Sequence, residues 1–452
     1  MRSVLTLLFV AACSRSTPPT VAVDAAPAPV VDAAAIDASR ASAVDGGAPV
    51  ASTDESGPYS VLLLTVDSLR ADMPWAGYAR PIAPNLTKLA ERSVRFTEAY
   101  STSSFTSKSI PGLLTGRYPS ELARTGSFFT KYLDADKFAC TWLKKEAISC
   151  IGGHAHMYFG PGQSGFENGF ATWKIVPGIK FDYQTDPFVT SDKLAPMAMS
   201  MLKDASTTQP FVAWFHFMDP HDEYKSHPES PHFGKKARDL YDEEVFYTDL
   251  WMGKLLDWVA EQPWARKTAI ILTADHGEAF GEHGATRHAH EVWQPLVRVP
   301  LFVAVPGVAP RDVKHPVAGI DVMPTIVQLV GAKNVPAMRG ESLLPEVRDP
   351  MFGADEKNAG PRDVIVEIPE DDYNERRRAL VHQDNEHRYK IIAFGKDQRF
   401  SLFDVAVDPD ENDDLFTKDR ALAAAMKQRY RDASAAIPEL PPTGGIPKKD
   451  AK

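Results

Sequence analysis

SVLLLTVDS at residues 60–68 and TAIILTADHG at residues 268–277 decide the fold. Each is an apolar run of strand length that ends on chemistry: Asp67 closes the first, and Asp275 with His276 closes the second. Three more runs of the same kind lie at Ile148 to Gly152, Phe211 to Phe217 and Pro300 to Val305. Between the runs the apolar residues recur at helical spacing, as in Leu86, Leu89 and Ala90 or in Leu194, Met197, Met201 and Leu202. Strands alternating with helices define an α/β domain. A further helix sets Val245, Asp249, Met252, Leu256 and Val259 on one face, where Asp249 reads as a structural hydrogen-bonding group.

The residues just past the strand ends point to a site. The run at 148–152 leads to His154 and His156, and the run at 211–217 leads to Asp219 and His221. In open α/β sheets the ligand crevice lies beyond the carboxyl ends of the strands. One such Asp would be an ordinary helix cap; four strand ends bearing Asp and His converge on a metal. Carboxylates and imidazoles suit hard or borderline divalent ions, so Ca, Mg, Mn and Zn all fit, as one ion or two.

The longer context resembles a known family. SVLLLTVDSLRAD, PNLTKLAERSVRFTEAY, LLTGRYPS, FHFMDPHDEY, TADHGEAFGEHG, VRVPLFV, GIDVMPTIVQLVG, HRYKIIAF and SLFDVAVDPDENDDL occur in the order of a sulfatase catalytic domain of the alkaline-phosphatase superfamily, from Tyr59 to Leu415. The resemblance implies a large mixed-sheet α/β domain, expected at 58–346, and a small C-terminal α+β subdomain, expected at 347–440. In that family the nucleophile opens a Cys-x-Pro-Ser-Arg run that ends in Thr-Gly-Arg. Counting back eleven positions from Arg117 reaches Thr106, with Lys108 in place of Pro, Ser109 retained and Ile110 in place of Arg. Thr cannot be oxidised to formylglycine, so the hydroxyl itself must act, as in phosphodiesterases and lipid phosphotransferases of the superfamily. Thr106 also opens an expected helix over Ser107 to Leu114, whose N-terminus favours an anion.

Carried over by position, the resemblance implies Asp67, Thr106, Asp275 and His276 as metal ligands, with Ser68 where a second Asp is usual. His221 and His288 are implied catalytic residues. Lys108, His154 and His156 are implied to bind the substrate, with the choice between the two histidines open. His216, His283 and His290 read as supporting residues. The implied reaction is hydrolysis of a sulfate or phosphate ester, with phosphorus favoured because a Thr sulfate lacks the hemiacetal route of formylglycine. Transfer of a phosphoryl headgroup, or a binding protein that kept the fold, are the competing functions.

The N-terminus implies export. Arg2 precedes an apolar stretch, Val4 to Ala12, too short to span a bilayer, and Val10-Ala11-Ala12-Cys13 resembles a bacterial lipobox. That would make residues 1–13 a lipoprotein signal ending in a lipidated Cys13, with Ser14 favouring the outer membrane. Residues 14–57, rich in Ala, Pro and Asp and without aromatics before position 57, read as a flexible tether, and 441–452 as a disordered tail. Cys140 and Cys150 are open between a disulfide and two thiols. The net charge of −10 excludes a nucleic-acid partner, which needs a basic stripe.

Overall fold

The computed structural model describes residues 57–180, 188–204, 210–352, 361–384 and 387–444. The expected signal and lipobox with Cys13, and the expected tether up to residue 56, lie outside the described residues. No helix among the described residues is long and apolar enough to cross a membrane.

Eight strands form the central sheet, in the order Arg311–Val313, Val94–Phe96, Leu301–Ala304, Thr268–Ala274, Ser60–Val66, Phe211–Phe217, Ser149–His154 and Thr172–Ile175. The last five run parallel, while Leu301–Ala304 joins antiparallel to Thr268–Ala274. All seven residues of the Ser60–Val66 strand and of the Phe211–Phe217 strand are buried, as strands covered on both faces must be. The register is what makes the site. Val66 pairs with Ala274 on one side and Phe217 on the other, so Asp67 and Asp275 leave the sheet side by side at its carboxyl edge.

The 24-residue helix Ala237–Ala260 packs against helices Ser191–Lys203 and Pro84–Glu91 and closes a capping gap in the second of these. Helix Pro84–Glu91 starts after Ala83, which has no side chain able to cap. Asp249 does this from the long helix, accepting from Asn85 N at 3.1 Å and Leu86 N at 2.7 Å. Cys140 and Cys150 form a disulfide that ties helix Ala139–Leu143 to the neighbouring strand Ser149–His154.

The C-terminal part is a four-stranded antiparallel sheet, Arg362–Ile368, Arg377–Gln383, Arg388–Phe394 and Arg399–Asp404, followed by helix Arg420–Ala435. It shares a second core with the catalytic part, where Ile365, Leu380 and Ile391 meet Tyr100, Val292 and Ile320. The expected boundary at 346/347 falls inside helix Leu344–Arg348, and the described residues from 57 onward form one compact unit. The expected tail also starts later than 441, because Thr443 donates its N–H to the Arg124 carbonyl at 2.8 Å.

Candidate active site

Phe105 is extended, with φ −147° and ψ 128°, and the chain then turns into helix Thr106–Thr115. Pro111 sits inside that helix and cannot bond the Ser107 carbonyl; the Tyr132 hydroxyl donates to it instead, at 2.9 Å. Gly116 ends the helix at φ 63°, and a side chain there would collide with Met338. Arg117 then bonds the Ala337 carbonyl. The Thr-Gly-Arg run is thus a helix stop, and it sets where the first residue, Thr106, is presented.

Thr106 Oγ1 donates to Asp67 Oδ2 at 3.1 Å and lies 3.0 Å from His276 Nε2. One ligand atom from each of Asp67, Asp275 and His276 lies within 4.8 Å of the others, and all three residues are fully buried. The structure therefore brings the four expected ligands together. His276 Nδ1 donates to the Gly277 carbonyl at 2.9 Å, which leaves the Nε2 lone pair facing the cluster. Burial holds this imidazole below its ordinary value, hence neutral. Asp275 Oδ1 accepts from His276 N and Ser68 N, whereas its buried Oδ2 has no hydrogen-bond partner and faces His276 Nε2 at 3.4 Å.

The two carboxyls titrate apart. Burial works to raise Asp67, but the hydrogen bond from His216 and the electrostatic pull of the His221 and His276 rings override it and hold it well below the carboxylate range. Burial, then the charge of Asp67, pushes Asp275 up to about 7. Two buried carboxyls facing each other, one with an orphan oxygen, fit a divalent cation.

A relay fixes Asp67 from behind. Trp214 Nε1 donates to Thr65 Oγ1 at 2.8 Å, so the Thr65 hydroxyl donates to His216 Nδ1 at 2.7 Å, and His216 Nε2–H points to Asp67 Oδ2 at 3.3 Å. Ser68, where a second Asp is usual, donates its hydroxyl to Asp67 Oδ1 at 2.7 Å. Its φ of 58° is held by Tyr241, whose hydroxyl donates to the Ser68 carbonyl.

A cavity of about 190 Å³ opens over Thr106. His156, His221, His288, His290 and Arg287 line it together with Phe105, Phe128, Phe129, Tyr158 and Phe159, and His156 stacks on Phe129 at 5.8 Å. The His288 ring centroid lies 4.3 Å from that of His276 and 5.0 Å from that of His221. Buried Glu278, which no sequence argument singled out, orients His288: both carboxylate oxygens lie 3.2 Å from Nδ1, and the Tyr224 hydroxyl donates to the same carboxylate at 2.8 Å. Burial opposes ionisation of Glu278, but His288 and Tyr224 outweigh it and hold the carboxyl below its usual range. Its place two residues after His276 was the available signal.

Two expected substrate-binding residues are not in the cavity. Lys108 is fully buried; its Nζ donates to Thr130 and pairs with Asp371 at 3.0 Å. At 100° per residue it stands about 200° round the helix from Thr106, on the far side from the cluster. His154 is fully buried among Trp173, Trp214 and Phe159, at centroid distances of 4.0, 4.4 and 4.9 Å. Neither of its ring nitrogens has a hydrogen-bond partner, and burial, followed by the neighbouring His216 ring, lowers it well below its ordinary value. His156 is the one that reaches the cavity, with Nδ1 accepting from Tyr158 N at 3.0 Å. Of the supporting histidines, His290 lies 2.8 Å from Asn374 Oδ1 at the cavity wall, whereas His283 bonds the Asp410 carbonyl and stacks on Trp293 outside it.

The Sulfatase family profile matches residues 60–332, and the profile for the N-sulphoglucosamine sulphohydrolase C-terminal region matches 281–435. An Ulvan-active sulfatase of Formosa agariphila is 25% identical over 354 residues, covering 68% of each chain. A Choline-sulfatase of Rhizobium meliloti is 24% identical over 371 residues, covering 65% of this chain and 72% of its own. The Phosphonate Monoester Hydrolase of Agrobacterium radiobacter shares the fold at a TM-score of 0.62 and 17% identity, over 83% of this chain and 95% of that one. With the signature strands, the nucleophile-position helix and the C-terminal sheet all in place, this chain belongs to the sulfatase family of ester hydrolases.

Proposed function

We propose that this chain cleaves phosphate esters with the Thr106 hydroxyl as nucleophile. One observation carries the reading: Thr106 Oγ1 stands at a helix N-terminus, within hydrogen-bond distance of both Asp67 and His276, at the floor of the cavity. The hydroxyl forms a bond to phosphorus as the ester P–O bond breaks. Asp67 Oδ2, 3.1 Å away along the O–H direction, is placed to take its proton. His288, oriented by Glu278, or the adjacent His221 gives a proton to the departing alcohol; the same imidazole then takes one from the water that breaks the Thr106 O–P bond and releases phosphate, while Asp67 returns its proton to Thr106 Oγ. A divalent cation held by Asp67, Thr106, Asp275 and His276 would neutralise the two carboxylates and acidify the hydroxyl.

Phosphorus is favoured over sulfur because Thr106 cannot become formylglycine, and a Thr sulfate would have to be released by direct hydrolysis. The likeness in fold to the Phosphonate Monoester Hydrolase of Agrobacterium radiobacter supports this reading. The test is a panel of matched aryl phosphates, phosphodiesters and sulfates with the wild type, Thr106→Ser and Thr106→Ala. Phosphoester turnover kept at a measurable level by Ser and lost in Ala supports the reading. Sulfate turnover above phosphate turnover contradicts it, transfer to an added alcohol in preference to water would make the chain a transferase, and no turnover at all would leave a binding protein. We also propose, from Val10-Ala11-Ala12-Cys13, that the chain is an exported lipoprotein anchored in the outer membrane or facing the periplasm; Cys13→Ala then moves it from the membrane fraction to the soluble one, and unchanged fractionation contradicts this.

A further inference from the structure

Resting on the ester-cleaving reading of the same site, we infer that the substrate is a small ester of an aromatic alcohol carrying a single anionic group, and that the loop Gly126–Thr130 selects it. The first observation is the shape and size of the cavity. About 190 Å³ lies below the roughly 300–1,000 Å³ typical of drug-sized ligands, so it holds one small ring system and not a chain of several sugars.

The second is the make-up of its walls. Thr106, His221 and His288 are the lining groups placed to meet the reacting anion. Phe128 and Phe129 line the same cavity partly exposed, with Phe105 tilted against Phe128 at 4.5 Å and exposed Tyr373 edge-on to it at 5.6 Å. Flat apolar faces of this kind take an aromatic ring by offset or edge contacts.

The third is charge. A polysulfated substrate carries further anions that need cations of their own. Among the described residues that line the cavity Arg287 is the one Lys or Arg, and its guanidinium already pairs with Asp222 at 2.9 Å. With a net charge of −10, the chain offers no compensating field.

The aromatic wall is built, not incidental. Ser107 Oγ, one residue from the nucleophile, donates to the Phe128 carbonyl at 3.1 Å, and the Tyr158 hydroxyl donates to the Thr130 carbonyl at 2.5 Å. On its outer side Gly126 lies so close to Asp372 that an added Cβ would sit 3.1 Å from the carboxylate. The loop is thereby clamped between the nucleophile helix and the C-terminal part, a rigid placement suited to selection.

Binding is measured by calorimetry on Thr106→Ala protein with manganese present, so that the result does not depend on which residue attacks. The probes are phenylphosphonate and benzenesulfonate against methylphosphonate and methanesulfonate, with glucose 6-sulfate and phosphocholine as competitors. The expected result is at least about tenfold tighter binding of the aryl member of each pair, the scale of one good aromatic contact. Phe128→Ala and Phe129→Ala should reduce that ratio severalfold while the methyl probes bind as before. Equal affinity for aryl and methyl probes overturns the inference, as does tighter binding of the sulfated sugar or of phosphocholine. If the sulfonate pair shows the aryl preference and the phosphonates do not bind, the specificity stands and the phosphoester reading falls.

Discussion

Removing the Asp371 carboxylate should cost stability in a pH-dependent way whose size follows from Lys108. Burial lowers the Lys108 ammonium from 10.5 to about 8, and Asp371 at 3.0 Å is the first group working to keep it charged. At pH 7 it is still protonated. In Asp371→Ala the value drops by about two further units, and the stranded ammonium relieves itself by losing its proton. The extra cost is then about 1.4 kcal/mol at pH 7, one pH unit of difference between holding and releasing that proton. At pH 9 the wild-type amine is itself neutral and this part vanishes. A lost hydrogen bond adds about 1 kcal/mol at either pH. The sign in the wild type is fixed by the same values: a lowered folded value means that stability rises with pH between about 8 and 10.5, where the unfolded chain holds a proton the native chain has released. Urea unfolding of the wild type and Asp371→Ala should therefore differ by about 2–3 kcal/mol at pH 7 and about 1 kcal/mol at pH 9. Lys108→Met in both backgrounds should remove the pH dependence of the gap. A gap of equal size at the two pH values would refute the reasoning and place Lys108 outside the ion pair.

Asp249 gives the opposite slope. Burial raises its carboxyl to about 6, so the native chain keeps a proton that the unfolded chain loses near 4; this stability is complete below about 4 and gone above 6, on the order of 3 kcal/mol in all. The stability difference between wild type and Asp249→Asn should fall by that order from pH 4 to pH 7, and a constant difference in denaturant titrations would contradict the assignment. Asp275→Ala should abolish bound divalent metal in elemental analysis of purified protein, because it removes one of only two carboxylates from the cluster; unchanged metal content would move the metal site elsewhere. Glu278→Gln should lower kcat by about 10²-fold with little change in KM, since it leaves His288 in place but loosens its orientation. A change confined to KM would make Glu278 a binding residue.

The strand ends were legible because an apolar run that stops on Asp marks both the strand and the place where it leaves the sheet. Thr106 was reachable by counting back from Arg117, since a helix of fixed pitch that ends at Gly116 has a fixed start. The same count misread Lys108, because spacing along a helix says nothing about direction until the rotation per residue is applied. His154 and His156 differ by two residues, yet the strand ends between them. The first is carried into the aromatic core as the residue paired with His216, and the second turns out to the cavity. The loop that holds Asp371, Tyr373 and Asn374 against the site had no signal, because its partners Lys108, Phe128 and His290 are more than 80 positions away in sequence. Likewise the pairing of Cys140 with Cys150 needed the helix and strand positions that bring their Cα atoms to 6.0 Å.

The central claim is that Thr106 Oγ attacks the ester. Its most direct test is rapid quenching of the wild-type protein with a slowly turned-over aryl phosphate, followed by mass measurement of the peptide containing Thr106. The account predicts that this peptide gains the mass of one phosphoryl group, that Thr106→Ser gains it at the same position, and that Thr106→Ala does not. Full turnover by Thr106→Ala with no modified peptide would contradict it and leave a water molecule as the nucleophile.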